Sequence, residues 1–253
     1  MPFTFLAHPA PLLPLARRWP GRVDGLALVV GSMSPDFAYV LTGTRFELWA
    51  HAFPGLVTFC LPATLAVAWL VARGLARVVA GHLPELGGFH LGDYRALAAH
   101  RFHPLRFVLW AFVGALSHVA LDSLGHSWGW PAQHWRAYRA DVFPGTFLGK
   151  PWTVFRVVQY AGHLGLSPLC LWLLHRYGTQ RWLAAAAATV PEFRSSARTH
   201  AVLWSAAAVG ALGAGAWVLA DREESALILR LAAGVFAGLL LGAALARGLE
   251  RTG

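Results

Sequence analysis

An apolar run long enough to cross a bilayer, Leu105–Leu124, carries a histidine and a carboxylate in its second half. About 18 or more consecutive apolar residues read as a membrane helix. The stretch Ala115–Trp130, ALSHVALDSLGHSWGW, spaces His118, Asp122 and His126 four residues apart. On an α-helix each such step advances about 40° past a full turn, so the three side chains fall within one arc of roughly 80°. An ionised Asp inside a membrane costs on the order of 2.5–3.5 kcal/mol on insertion scales. A divalent metal offsets that cost, because a carboxylate and two imidazoles are a common ligand set. An Asp–His hydrogen bond that joins helices offsets it too, and this stretch alone does not choose between them.

The rest of the chain fits a membrane setting. Only 13% of the 253 residues are charged, about half the ~25% of soluble proteins. The net charge of +9 comes almost wholly from arginine, with Lys150 the one lysine among 21 basic residues. In a soluble chain that excess would point to nucleic acid. Here the arginines flank apolar runs, and no phosphate loop or nucleic-acid motif accompanies them, so topology accounts for them and no nucleic-acid partner is expected. Cys60 and Cys170 lie inside apolar runs and read as small core residues.

Five spans are expected: Phe53–Val71, Leu105–Leu124, Thr153–Leu174, about His200–Leu219 and about Ala226–Ala246. Ahead of them a short helical pair is expected. MPFTFLAHPAPLLPLARRW lacks a basic start and is interrupted by prolines, so it does not read as a signal peptide. A second apolar piece, Gly25–Met33, stops at Ser34-Pro35-Asp36, where Pro35 sets Asp36 at a helix boundary. Taken alone, Asp36 reads as a helix cap and His8 as an interfacial histidine. A fold-back of the pair would bring both to one level. His51 stands just before the first span. Gln159 and His163 lie one turn apart on the third and are candidate cavity-lining residues.

His82, His90, His100 and His103, with Arg73, Arg77, Arg95, Arg101 and Arg106, read as a solvated basic loop. Arg230 lies near the start of the fifth span, where it can snorkel. Gly234, Gly238 and Gly242 form a ridge for close helix packing. The fold class is therefore all-α: a polytopic bundle of about five membrane helices plus a short N-terminal pair. It forms one integral membrane domain over 1–253, in which residues 1–175 bear the site and residues 199–247 form two Ala/Gly-rich spans.

Placing the loop after the first span in the cytoplasm puts the Arg73–Arg106 and Arg176–Arg198 loops and the C-terminal arginines inside. Only Arg136, Arg139, Lys150 and Arg222 are left outside. His51, Asp122 and His126 then converge on one side. The mouth of the site is expected to face out of the cytoplasm, across an inner (cytoplasmic) membrane.

MPFTFLAHPA, GSMSPDFAYVL at Gly31–Leu41, HAFPGLVTFCLP from His51, GALSHVALDSLGHSWGW, and PWTVFRVVQYAGHLGL at Pro151–Leu166 together resemble a family of bacterial membrane proteins, domain of unknown function 4184. The resemblance covers about the first two-thirds of the chain. That family is distantly similar to inner-membrane metal-dependent hydrolases. Those carry an N-terminal His, a Pro-Asp pair, a His-Ser segment and a His-x-x-x-Asp helix. The resemblance implies roles for His8, Asp36, His51, His118 and Asp122. It departs at His51-Ala52, where the serine hydroxyl is missing. The His-x-x-x-Asp helix is more remotely similar to one in zinc phospholipase C.

His8, Asp36, His51, His118, Asp122 and His126 thus form a candidate ligand set for one or two divalent ions, with zinc favoured. Asp122 and His118 are the expected catalytic pair. Such a centre suits hydrolysis of a phosphoester or lipid-linked substrate at the bilayer surface. Two alternatives stay open: a metal-binding membrane protein without catalysis, and a cluster that only fixes helix packing. The sequence leaves the substrate and the oligomeric state open.

Overall fold

The computed structural model describes residues 6–45, 49–147, 149–221 and 226–252. Among the described residues, five helices are long and apolar enough to cross a membrane: Phe53–Ala80, Pro104–His134, Val154–Thr179, Ala197–Ala220 and Leu227–Glu250. They are called the first to fifth spans below. The chain is a multi-pass, all-α membrane protein. The spans match the five apolar runs and extend several of them. The first span takes in Arg73 and Arg77, which lie on the helix and not in a loop. Within the second span the regular helix ends at Gly125, and a short turn, Trp130–His134, follows.

Ahead of the spans come α1 (Leu13–Arg18) and α2 (Gly25–Phe37), the latter continuing as a tighter turn, Ala38–Leu41. Asp24 caps α2 by accepting from the Ala27 amide at 3.1 Å. The helix was expected to stop at Ser34-Pro35, yet it runs through Pro35 to Phe37. Pro35 has no N–H to give the Gly31 carbonyl, and an interior proline normally breaks a helix for this reason. The Ser34 hydroxyl donates to that carbonyl instead, at 2.8 Å. Asp36 therefore sits within the last turn of a continuous helix.

The helix from Gly25 to Leu41 is about 27 Å long. It lies alongside the second span and runs the same way. Near its start the Arg22 carbonyl accepts from the Trp110 indole at 2.9 Å; further along, the Ser32 carbonyl meets His118. Close approach is possible because two glycines face each other. A Cβ on Gly114 would lie 2.4 Å from the Leu28 carbonyl oxygen, and one on Gly31 would lie 2.4 Å from that of Ala111. The segment from His8 to Arg18 descends in the opposite sense and ends with Arg17 stacked over Trp182. The N-terminal pair is thus a hairpin, with its turn at the basic end of the bundle and both open ends at the other.

The fourth and fifth spans pack on each other through Gly210, Gly234 and Gly238, where an added Cβ would come within 2.1–2.3 Å of the facing backbone. The glycine ridge is thus a contact between these two spans. Arg230 does not snorkel. It is wholly buried, and its guanidinium donates to the carbonyls of Val40 (3.1 Å) and Thr42 (2.6 Å) beneath the Trp217 ring. A buried guanidinium is stable only when its donors are met, and the frayed end of the α2 segment offers free carbonyls.

The stretch after the first span is more ordered than a solvated loop. It forms a short 3₁₀ segment, Leu91–Ala99, in which buried Asp93 takes two bonds from Arg181 at 3.0 and 3.1 Å. Buried His82 bonds the Val78 carbonyl and the Thr199 hydroxyl, and His100 stands 3.4 Å from buried Asp24. Both are packing residues, since their ring nitrogens answer buried groups. One two-stranded hairpin was not anticipated: β1 (Asp141–Phe147) pairs antiparallel with β2 (Lys150–Thr153). The first five residues of the N-terminal motif, and Arg222, lie outside the described residues.

Candidate metal centre

Four separate pieces of chain converge near the end of the second span. His118 lies seven residues before Gly125, about 10 Å along the axis from the helix end. His118 and Asp122 both turn inward; His118 is fully buried and Asp122 nearly so. α2 supplies Asp36 from its last turn. The Trp49–Ala52 turn supplies His51, anchored where the Cys60 thiol donates to the Ala50 carbonyl at 3.6 Å. The segment ahead of α1 supplies His8, whose ring stacks on that of His118 with centroids 3.6 Å apart.

The first group of atoms is Asp36 Oδ1, His51 Nε2, His118 Nε2 and Asp122 Oδ2. His51 lies 3.2 Å from His118, 3.7 Å from Asp36 and 3.6 Å from Asp122. His118 lies 3.5 Å from Asp36 and 3.4 Å from Asp122. A tetrahedral ion with bonds of about 2.0–2.1 Å would hold its ligands about 3.3–3.4 Å apart. These five separations lie within about 0.4 Å of that spacing. On proximity alone, His8, His118 and Asp122 form one group that can hold an ion, and Asp36, His51 and His118 another.

The tautomer of His118 follows from its other nitrogen. Nδ1–H donates to the Ser32 carbonyl at 2.8 Å, which leaves Nε2 facing the carboxylates. This is the outer hydrogen bond that orients metal-binding histidines. His8 differs. It is buried, its Nδ1 has no hydrogen-bond partner among the described residues, and its Nε2 stands 3.7 Å from Asp122 Oδ1.

Not every candidate joins the cluster. His126 falls just past the helix end, in extended backbone, so the 80° arc does not reach it. Its Nδ1 donates to the Asp122 carbonyl at 2.8 Å, and its Nε2 accepts from the Gln159 amide at 3.0 Å. Both nitrogens are spent on hydrogen bonds. Gln159 and His163 line a cavity of about 80 Å³ with His8, Asp122 and His126, and Leu121, Val158 and Leu166 form its apolar walls.

The family model described as "Domain of unknown function (DUF4184)" matches residues 1–247. The chain belongs to this family. The match runs through the two C-terminal spans, beyond the first two-thirds that carry the recognisable motifs. No curated protein and no solved structure matches the chain. The DUF4184 description carries no activity, and nothing in these comparisons supports the more distant similarity to metal-dependent hydrolases. Two residues of the centre went unnoticed in the sequence. Ser32 acts through its main-chain oxygen, which no side-chain motif reports. Tyr39, in the turn after α2, sets its ring 5.4 Å from that of His51; its place two residues before the helix end was the available sign.

Proposed function

We propose that this DUF4184 protein is a membrane-embedded, metal-dependent hydrolase whose divalent ion, zinc by preference, is held by Asp36, His51, His118 and Asp122, with His8 beside them. The observation that carries the reading is the convergence of two carboxylates and two imidazoles from four pieces of chain, on buried or half-buried residues, with His118 and His51 each within 3.2–3.7 Å of the other three groups. An ion in such a site supplies Lewis acidity and lowers the pKa of a bound water toward ~7. The protein's own contribution is to hold and orient. Ser32 fixes the His118 tautomer, Asp122 lends His126 its carbonyl, and the apolar wall of Leu121, Val158 and Leu166 limits water at the cavity.

A phosphoester or lipid-linked substrate is the class in keeping with the location. Trp128 stacks on His126, which lines the cavity, and Trp128, Trp130 and Trp135 are each about half exposed, as interfacial tryptophans are. Arg136, Arg139 and Arg156 lie at the site end, but most of the described arginines lie at the opposite end, where Arg77 pairs with Glu250 and Arg247 bonds the Arg73 carbonyl. By the positive-inside rule that end is cytoplasmic, and the site faces outward across an inner membrane. A second reading has one observation in its favour. Four protein ligands close a tetrahedral site, as in structural metal centres.

Turnover separates the two. Zinc-loaded protein in detergent should hydrolyse at least one of a panel of aryl phosphodiesters, phospholipids and lipid-linked phosphates, and Asp122→Ala should abolish it. Zinc held tightly with no turnover on any member would favour the structural reading.

A further inference from the structure

The ligand atoms do not divide into two equivalent sets. His118 belongs to both three-residue groups. Its Nδ1 is committed to Ser32, so it offers one lone pair, and one lone pair serves one ion. If His118 completes the tetrahedral figure with Asp36, His51 and Asp122 Oδ2, any ion near His8 must do without it. What remains there is the second oxygen of Asp122, which faces His8 Nε2 at 3.7 Å. His8 is 97% buried, and its Nδ1 has no hydrogen-bond partner among the described residues. Its Nε2 faces Asp122 Oδ1 from beyond hydrogen-bond distance, which leaves a gap between a buried nitrogen and a buried carboxylate oxygen. His8 and Asp122 also line the 80 Å³ cavity, and the first group's other residues, Asp36, His51 and His118, do not.

We propose that Asp122 bridges two unlike metal positions: a closed one with Asp36, His51 and His118, and an open one between His8 and Asp122 Oδ1 that faces the cavity. This rests on the metal-site reading above and adds a division of labour. The closed ion fixes the helices. The open ion, with only two protein ligands, takes the rest of its coordination from water or from the oxygens of an anionic substrate. A bridging carboxylate between paired ions is the arrangement that clamps both oxygens of a phosphoester displacement. His163, with its ring centred 6.3 Å from that of His8, and Gln159 stand on the wall across the cavity, where a substrate group would meet them.

The experiment is a zinc titration of the full-length protein in detergent against a chelating indicator, with bound zinc measured after gel filtration. Wild type should take up two equivalents, one of them released by mild chelation. His8→Ala and the shape-conserving His8→Gln should each take up one equivalent, the tight one, with an unchanged gel-filtration profile. Asp36→Asn should lose the tight ion. Two equivalents retained in both His8 variants would overturn the proposal. So would a wild type that binds one equivalent and loses it with His8, which would make His8 a ligand of a single centre. Either result leaves a metal centre standing. No zinc bound by wild type would remove that centre and this proposal together.

Discussion

The Nδ1–H of His118 donates to the main-chain carbonyl of Ser32 across 2.8 Å. That single bond ties the site to a helix contact. It forms only where α2 lies against the second span closely enough for a side chain on one to reach backbone on the other. The Gly31–Gly114 contact lies next to it. The packing that builds the bundle and the orientation of the proposed ligand are therefore one arrangement, and a change at the glycines should be felt at the metal.

Gly114→Ala tests this coupling. The new methyl would lie 2.4 Å from the Leu28 carbonyl oxygen, so the helices must separate. Overpacking of this kind costs about 1–3 kcal/mol. Thermal unfolding in detergent should show the loss, together with reduced zinc uptake. Gly165→Ala, where an added Cβ meets nothing within 4 Å, should leave both unchanged. Equal behaviour of the two variants would show that the close approach is unimportant.

Arg230 gives a second prediction, at the join between the C-terminal spans and the site-bearing region. Arg230→Met keeps the bulk but leaves the Val40 and Thr42 carbonyls short of donors, at about 1–3 kcal/mol. Arg230→Lys should recover little, since one ammonium cannot reproduce the planar fork. A melting temperature equal to wild type in Arg230→Met would mean that water meets those carbonyls.

Acid should weaken the fold through Asp93. The Arg181 guanidinium bonded to Asp93 holds its carboxyl below the usual carboxylate range, against the opposing effect of burial. A group whose pKa falls on folding adds stability above its unfolded value of ~3.9 and loses it as pH drops through the folded value. The melting-temperature gap between wild type and Asp93→Asn should therefore be widest near neutral pH and shrink below about pH 4. A gap that stays constant down to about pH 3 would contradict the assignment.

Orientation is open to labelling. Glu85, in the exposed stretch after the first span, can be replaced by cysteine, while Cys60 and Cys170 are buried and should stay silent. A membrane-impermeant maleimide should label Glu85→Cys only after the membrane is opened. Labelling in intact cells would put the site mouth in the cytoplasm.

Much of the architecture could be read from residues because membrane helices announce themselves. Five apolar runs became five spans, and the four-residue spacing of His118 and Asp122 placed both on one inward face. That His8 and Asp36 meet at the same level was also legible, from two apolar pieces too short to span. The misreadings have two causes: a neighbouring side chain rescued Pro35, and a distant group met Arg230 and His126. Pro35 looked like a stop, but the Ser34 hydroxyl replaced the missing donor. Arg230 looked like a snorkelling side chain, but carbonyls some 190 residues earlier awaited it. His126 looked like a third ligand, but the helix ends one residue too soon, and Gln159 from another span takes its nitrogen. No periodicity in one segment reports a partner in another.

The central claim is that Asp36, His51, His118 and Asp122 hold a metal ion. Its most direct test is elemental analysis of detergent-purified protein after zinc reconstitution and gel filtration, with wild type beside Asp122→Ala. The account predicts at least one tightly held equivalent of zinc in wild type and none in the variant, with both eluting at the same volume. Wild type that emerges free of metal, or Asp122→Ala that retains as much zinc as wild type, would contradict it.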